Sequence, residues 1–192
     1  MSKGKALIRA DIRRARRDHH ALAEDFLESW RTVLAELGVS TSSPAALFVP
    51  TSSEPDVMGI VRECRRALLP VLVANGSRLL EPAWGWHEGG ASLVQPDPAW
   101  PAQPDTPILG ADALAGVDVV LVPALAVDQR GNRLGQGGGW YDRALLERRA
   151  GVAVVAAVFD AEFVDEATWP VEDHDCRVDA VITPSAGVIL GG

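Results

Sequence analysis

Through the first part of the chain, apolar positions recur at three- to five-residue steps, from Leu7, Ala10 and Ala15 to Leu22, Phe26, Trp30, Leu34 and Leu37. Residues 3 to 37 hold no proline and, apart from Gly4, no glycine. The spacing predicts one long or once-broken helix that Gly38 ends. Short continuous runs follow. Ala45 to Val49, stopped by Pro50, predicts a buried strand, and Thr51 to Asp56 a loop whose Asp56 caps a helix running to about Leu69. Val71 to Ala74 predicts a second strand, with Leu79 and Leu80 a third beyond an Asn75-Gly76 turn. Residues 82 to 107 lose the pattern: they carry six prolines together with Trp84, Trp86, His87 and Trp100. Irregular structure walling a pocket is expected there. Trp86 is a candidate platform for a ring-shaped ligand, although tryptophans in such segments more often plug a core.

The second half is more regular. Val119 to Pro123 is apolar without alternation, Tyr141 to Arg149 has helical spacing, Val152 to Val158 is continuous and largely β-branched, and Ala180 to Thr183 is a last apolar run. Unbroken apolar strands are those covered on both faces. Strands alternating with helices in a chain of 192 residues predict a single α/β domain spanning residues 1–192. The expected architecture is a mainly parallel sheet covered by helices on both faces, with a long N-terminal helix.

Between the strand at Val119 and the helix near Trp140 lies the stretch that organises the rest, Asp128 to Arg143, with glycines at 131, 135, 137, 138 and 139. Glycine has no side chain to shield its amide, so such a loop can turn several N–H groups toward one anion. Phosphate is the anion expected. The helix start would add its unpaired amides and Arg133 a fork of donors, while Asp142 is a candidate to hold a cation against the phosphates. A flexible hairpin tip or a linker is the plainer alternative, which the buried-looking flanks disfavour. Neither common cradle fits: a P-loop needs Lys and Ser or Thr after the last glycine, and the dinucleotide spacing G-x-G-x-x-G meets a tryptophan at 140.

Charge changes the picture at the N-terminus. The chain carries a net charge of -8, yet residues 1 to 20 hold seven Lys or Arg against two Asp, leaving -13 for the remainder. Lys5, Arg9, Arg13 and Arg16 fall on one helical stripe. A solvated face is the ordinary reading, and a polyanion such as a nucleoside triphosphate the functional one. The acidic remainder disfavours a nucleic-acid partner or an anionic membrane. Cys64 and Cys176 are too few for a disulfide framework, and no apolar run approaches a membrane span. A cytoplasmic, monomeric protein is expected. Glu54, in the polar loop after a strand, is a candidate ligand contact, and its alternative as an ordinary loop acid stays open. Near the C-terminus, Glu172, Asp173, His174, Asp175 and Asp179 cluster; His174 is a candidate base and Asp179 a candidate cation ligand.

The segment Arg133-Leu134-Gly135-Gln136-Gly137-Gly138-Gly139-Trp140-Tyr141-Asp142 resembles the Arg-Leu-Gly-x-Gly-x-Gly-Tyr-Tyr-Asp signature of the 5-formyltetrahydrofolate cyclo-ligase family. Val122-Pro123, Asp128, Gly131, Lys5 with Arg9, Glu54, His174-Asp175 and Val178-Asp179 match that family's other motifs in order and spacing. Ala124, Trp140 and Val57 depart from it. The resemblance implies an ATP- and magnesium-dependent conversion of 5-formyltetrahydrofolate to 5,10-methenyltetrahydrofolate, with release of ADP and phosphate. It further implies that Lys5, Arg9 and Arg133 to Tyr141 (Arg133, Leu134, Gly135, Gln136, Gly137, Gly138, Gly139, Trp140, Tyr141) meet ATP, with Lys5 and Arg133 catalytic. Arg9, Val49, Glu54 and Gln136 to Trp140 would face the reduced folate, and Asp142 and Asp179 the Mg²⁺. A non-catalytic nucleotide or folate binder on the same fold is the alternative.

Overall fold

A computed structural model of the chain describes residues 4–18, 23–172 and 175–191. Its helices are α1 (Lys5–Ala15), α2 (Ala23–Leu37), α3 (Met58–Glu63) and α4 (Trp140–Ala144). The strands of the first half are β1 (Ala45–Ala46), β2 (Arg66–Pro70), β3 (Val73–Ala74), β4 (Ser77–Arg78), β5 (Trp84–Glu88), β6 (Leu93–Val94) and β7 (Gln103–Pro104). Those of the second half are β8 (Val119–Pro123), β9 (Ala126–Asp128), β10 (Arg133–Leu134), β11 (Ala153–Ala157), β12 (Phe163–Val164), β13 (Ala180–Ile182) and β14 (Gly187–Ile189).

Among the described residues, seven strands form one sheet in the order β14-β13-β11-β8-β1-β2-β5. The inner five are parallel; β14 and β5 close the two edges antiparallel. The inner strands are short and apolar because both faces are buried. Val119 and Leu121 pack with Phe26, Trp30, Val33 and Leu34 of α2 and Ile60 and Val61 of α3. Val120 and Val122 point the other way, into Leu114, Val117, Ala144, Leu145 and Trp84. One face is thus covered by α2 and α3, the other by α4 and the 3-10 turns at Ala111–Gly116 and Leu145–Glu147. A third cluster seats Ile8 of α1 against Leu125, Ala126, Leu134 and Trp169.

Several expectations are corrected. Of the one long or once-broken helix expected, the described residues form two, α1 continuing into a 3-10 turn at Arg16–Asp18 and α2 starting at Ala23, with residues 19–22 outside the described ones, so the single long helix is not seen. The helix at 58 stops at Glu63, because Ala67, Leu68 and Leu69 bury both faces in β2; a short apolar run does not distinguish the two states by period alone. The third strand is Ser77–Arg78 rather than Leu79 and Leu80. Within the supposedly irregular 82–107, Trp84 to Glu88 forms edge strand β5, paired residue for residue with β2. The helix at 141–149 is five residues of α4 and one 3-10 turn. Asp56 stands one residue before the N-cap Val57 of α3, its Oδ1 accepting the Met58 N–H at 3.0 Å, and Gly38 ends α2 at φ 67°.

Candidate active site

A cavity of about 310 Å³ opens beyond the carboxyl ends of β1 and β8. Open α/β sheets place ligands there because the loops leaving the strand ends splay apart. Its walls are the loop around Glu54, the glycine loop, and a third side from Pro70, Leu72 and Arg78 with residues 99–102.

The glycine loop is positioned by the hairpin that precedes it. The Asp128 carboxylate, 1% exposed, accepts the Arg130 and Asn132 N–H groups at 2.9 and 2.8 Å and the Asn132 Nδ2 at 2.7 Å, which fixes the turn between β9 and β10. Gly131 in that turn has φ 78°, and a Cβ there would stand 2.3 Å from the Val178 carbonyl oxygen, so only glycine fits. The hairpin delivers Arg133, whose side chain is 4% exposed and whose Nη2 donates to Asp142 Oδ1 at 2.5 Å. Arg133 Nε is buried without a partner among the described residues. From Gln136 to Gly139 no main-chain N–H has a hydrogen-bond partner among the described residues, so those donors are available to a ligand. Because α4 has only five residues, its dipole adds little to theirs. Trp140 wedges edge-on between Trp84 (centroids 4.9 Å apart) and Tyr141 (4.8 Å). Burial, and then the Glu54 charge, push the Tyr141 phenol well above the usual tyrosine range, only partly opposed by Arg133. Its hydroxyl is therefore a proton-bearing donor near neutral pH.

Helix α1 lies across this loop and is held mainly by cations. Arg9 Nε donates to the Gly135 carbonyl at 2.9 Å, and Arg13 Nη2 to the Gln136 carbonyl at 2.8 Å and Gln136 Oε1 at 3.0 Å. Lys5 Nζ sits 2.9 Å from Asp175 Oδ2 and 3.1 Å from Glu172 Oε2. Burial works to lower its pKa, but the hydrogen bonds and charges of Asp175 and Glu172 outweigh that and hold it above the usual lysine range. Arg16 is different from its neighbours on the stripe. Its side chain is 1% exposed and grips Glu162 with Nε to Oε1 at 2.7 Å and Nη2 to Oε2 at 2.8 Å. It also donates to the carbonyls of Ser53 (3.0 Å) and Ala124, and lies over the Phe159 ring. One guanidinium therefore ties α1 to the Glu54 loop and to the exit of β8.

Glu54 is held in its own turn: Oε2 accepts the Thr51 N–H at 2.9 Å and hydroxyl at 3.0 Å, while Oε1 meets Gln136 Nε2 at 3.4 Å across the cavity.

The structure brings Val49, Glu54, Arg133, Gly135, Gln136, Gly137, Gly138, Gly139, Trp140, Tyr141 and Asp142 onto one cavity, with Arg9 on the outer side of the glycine loop. Lys5 is one helical turn further along α1, in its two ion pairs. Leu134 does not line the cavity; it is packed in the Ile8 cluster. Asp179 is at the far end of the sheet, where strand starts lie, and its Oδ2 accepts the Val154 N–H at 2.7 Å. It does not join Asp142. His174 lies outside the described residues. Among the described residues there is no group of three or more His, Cys, Asp or Glu able to hold a metal ion. Trp86 does not line the cavity either; Arg66 covers its ring at 4.1 Å, and Trp100 stands in the wall where Trp86 was expected. His87 is 5% exposed on β5, and burial pushes its pKa down. Sequence reasoning missed Thr51, Arg78 and Pro123 as lining residues and Glu162 as the partner of Arg16. Their signals are contacts between distant segments, which no local pattern carries.

Fold and cavity together define an α/β protein with a cavity at the strand carboxyl ends, between a glycine loop and an aromatic wall. The model of the 5-formyltetrahydrofolate cyclo-ligase family matches residues 1–184. The chain belongs to that family. It is 34% identical over 199 aligned residues to the 5-formyltetrahydrofolate cyclo-ligase of Mycolicibacterium smegmatis, with 97% of each chain covered. Among solved structures it is similar to a 5,10-methenyltetrahydrofolate synthetase from Aquifex aeolicus, with TM-score 0.74 and 21% identity, covering 98% of this chain and 93% of that one. It is similar too to a 5,10-methenyltetrahydrofolate synthetase from Mycoplasma pneumoniae, with TM-score 0.63 and 17% identity, covering 94% and 98%. At those identities the two structures speak for the fold alone.

Proposed function

We propose that the protein is an ATP-dependent ligase that converts 5-formyltetrahydrofolate to 5,10-methenyltetrahydrofolate with release of ADP and phosphate. The observation that carries this reading is the arrangement of unpartnered glycine-loop amides and Arg133 on one side of a cavity and Glu54 on another, in a chain of the cyclo-ligase family. A formamide carbon is a poor electrophile, and its oxygen a poor leaving group. Attack of the formyl oxygen on the γ-phosphate forms the O–P bond and releases ADP. N10 then adds to the activated carbon and loses its proton, the C–O bond breaks, and phosphate departs as the ring closes.

Such a transfer asks the protein mainly for alignment and charge neutralisation. In this reading the loop amides and Arg133 bind phosphate oxygens, and Arg9 supports the loop from behind while Lys5 adds a cation at its far side. Glu54, already oriented by Thr51, accepts N–H groups of the pterin, and Val49 packs against it. The Tyr141 hydroxyl is a donor that does not ionise at neutral pH.

The donor set fits Mg²⁺ in one mode. Asp142 offers a single carboxylate, one oxygen of which is shared with Arg133, which suits a cation that arrives on the phosphates and keeps most of its other ligands from them and from water. Bound in that way, it supplies charge neutralisation at the phosphate oxygens. Asp179 stays with Val154 and takes no part.

Incubation of the protein with 5-formyltetrahydrofolate, ATP and Mg²⁺ should give an ATP-dependent rise in the near-ultraviolet absorbance of the methenyl product. Tight ATP binding with no turnover would leave a binder in place of an enzyme.

A further inference from the structure

Four charged side chains line the cavity: Glu54, Arg78, Arg133 and Asp142. Three are already engaged, Arg133 with Asp142 and Glu54 with Thr51. Arg78 is not. Among the described residues its side chain makes no hydrogen bond or ion pair; its guanidinium carbon lies 4.8 Å from the centre of the Trp100 ring. A guanidinium resting over a ring face keeps its N–H edges free in its own plane, suited to a planar two-oxygen acceptor.

The stack is built rather than incidental. Arg78 ends the β3–β4 hairpin, paired with Val73 across an Asn75-Gly76 turn in which both residues have positive φ. The buried Gln103 side chain braces that hairpin, accepting the Leu72 and Val73 N–H groups at 3.1 Å each and donating to the Val73 carbonyl at 2.9 Å. Three residues earlier in the same segment, the Trp100 carbonyl is held by Gln95 Nε2 at 3.0 Å. Two amides, Gln103 and Gln95, thus hold the hairpin that carries the cation and the backbone of its aromatic support.

Position decides which anion this cation meets. The phosphate donors of the proposed reaction stand together on the glycine loop, whereas Arg78 comes from another wall, set among the apolar Pro70, Leu72, Pro101 and Ala102. An elongated ligand with an aromatic middle and an acidic end matches that sequence of surfaces. We propose that Arg78 recognises a tail carboxylate of the folate substrate, and so sets the selectivity of the cavity for a glutamate-bearing tail over a neutral one. This rests on the folate reading above.

The test compares 5-formyltetrahydrofolate with the same molecule carrying both tail carboxylates as amides. In the wild type the acidic tail should be favoured. Arg78→Ala should cut that preference by about tenfold or more, through KM for the acidic substrate and not through kcat, as expected for lost charge-assisted hydrogen bonds. Arg78→Lys should restore part of it, being a point charge without the fork. Equal losses on both substrates, no loss, or a loss confined to KM for ATP would overturn the assignment. If the wild type forms no methenyl product, the folate reading fails by itself. Calorimetry with 4-aminobenzoylglutamate and its diamide then decides on Arg78 separately: discrimination that survives in Arg78→Ala overturns it, and discrimination lost there supports it.

Discussion

Helices α1 and α2 come from one stretch of apolar periodicity and serve opposite ends. In α2 the apolar side is fully used: Phe26 and Val33 are 0% exposed and Leu34 2%, all in the core beneath the sheet. In α1 only Ile8 is buried, with Arg16 buried just past its end; Leu7 is 53% exposed, and Lys5, Arg9 and Arg13 make its polar contacts with the rest of the protein. The first helix is docked by directed polar contacts, the second by apolar area. Periodicity reports that a side is apolar, but not whether that side is what holds the helix.

This contrast can be broken by substitution. Phe26→Ala in α2 should destabilise the fold by about 3–5 kcal/mol, as a large buried aromatic does when removed, with the rate per folded molecule retained. Urea unfolding beside the product assay would check it, and a rate loss without a stability loss would mean that α2 also shapes the cavity. At the end of α1, Arg16→Met should destabilise by roughly 3–5 kcal/mol, because Glu162 is left charged and buried. Adding Glu162→Leu should recover most of that, and a double variant no better than the single one would show that Arg16 matters for its carbonyl contacts instead.

On the loop that α1 covers, Arg133→Ala should slow turnover by on the order of 10² if it stabilises transferring phosphate as an oxyanion donor does. An unaltered kcat would remove it from the chemistry. The smallest effect belongs to Lys5. Its pKa is raised in the folded protein, so its ion pairs stabilise fully below the ordinary lysine pKa and their contribution is lost as pH rises through the folded value. Lys5→Met should therefore lower stability by under about 1 kcal/mol near neutral pH, given the partial exposure of Glu172. The gap between variant and wild-type melting temperatures should narrow only once the pH has risen past the ordinary lysine pKa and through the raised folded value. A gap that persisted there would mean that the lysine stem, and not its charge, does the docking.

What the sequence made legible follows the range of each interaction. β8 and β11 were visible because burial on both faces leaves a continuous apolar run, and the glycine loop because its composition is a local signature. Gly38 and Asp56 act within one turn of their own position. β5 was hidden: Trp84-Gly85-Trp86 reads as irregular until β2 is placed beside it. Arg16 was visible as a member of a cationic stripe, but its buried pairing depends on Glu162, 146 residues later. Asp179 carried the right charge in a recognisable motif. Its start-of-strand position, where the neighbouring Val154 amide needs an acceptor, gives it a structural partner at the other end of the sheet. The cavity wall at Arg78 and Trp100 was anticipated only as a region, since the brace through Gln103 joins segments about thirty residues apart.

The closing strands of the sheet have a consequence for how copies of the molecule meet. A parallel sheet left open at its sides would offer rows of unpaired amides and carbonyls to any neighbour. Here one outermost strand, β14, has three residues; the other, β5, has its first residue tied in both directions to Leu109 and its last salt-bridged through Glu88 to Arg66. Little edge backbone is left to recruit a foreign strand, so pairing of one sheet edge with another is disfavoured.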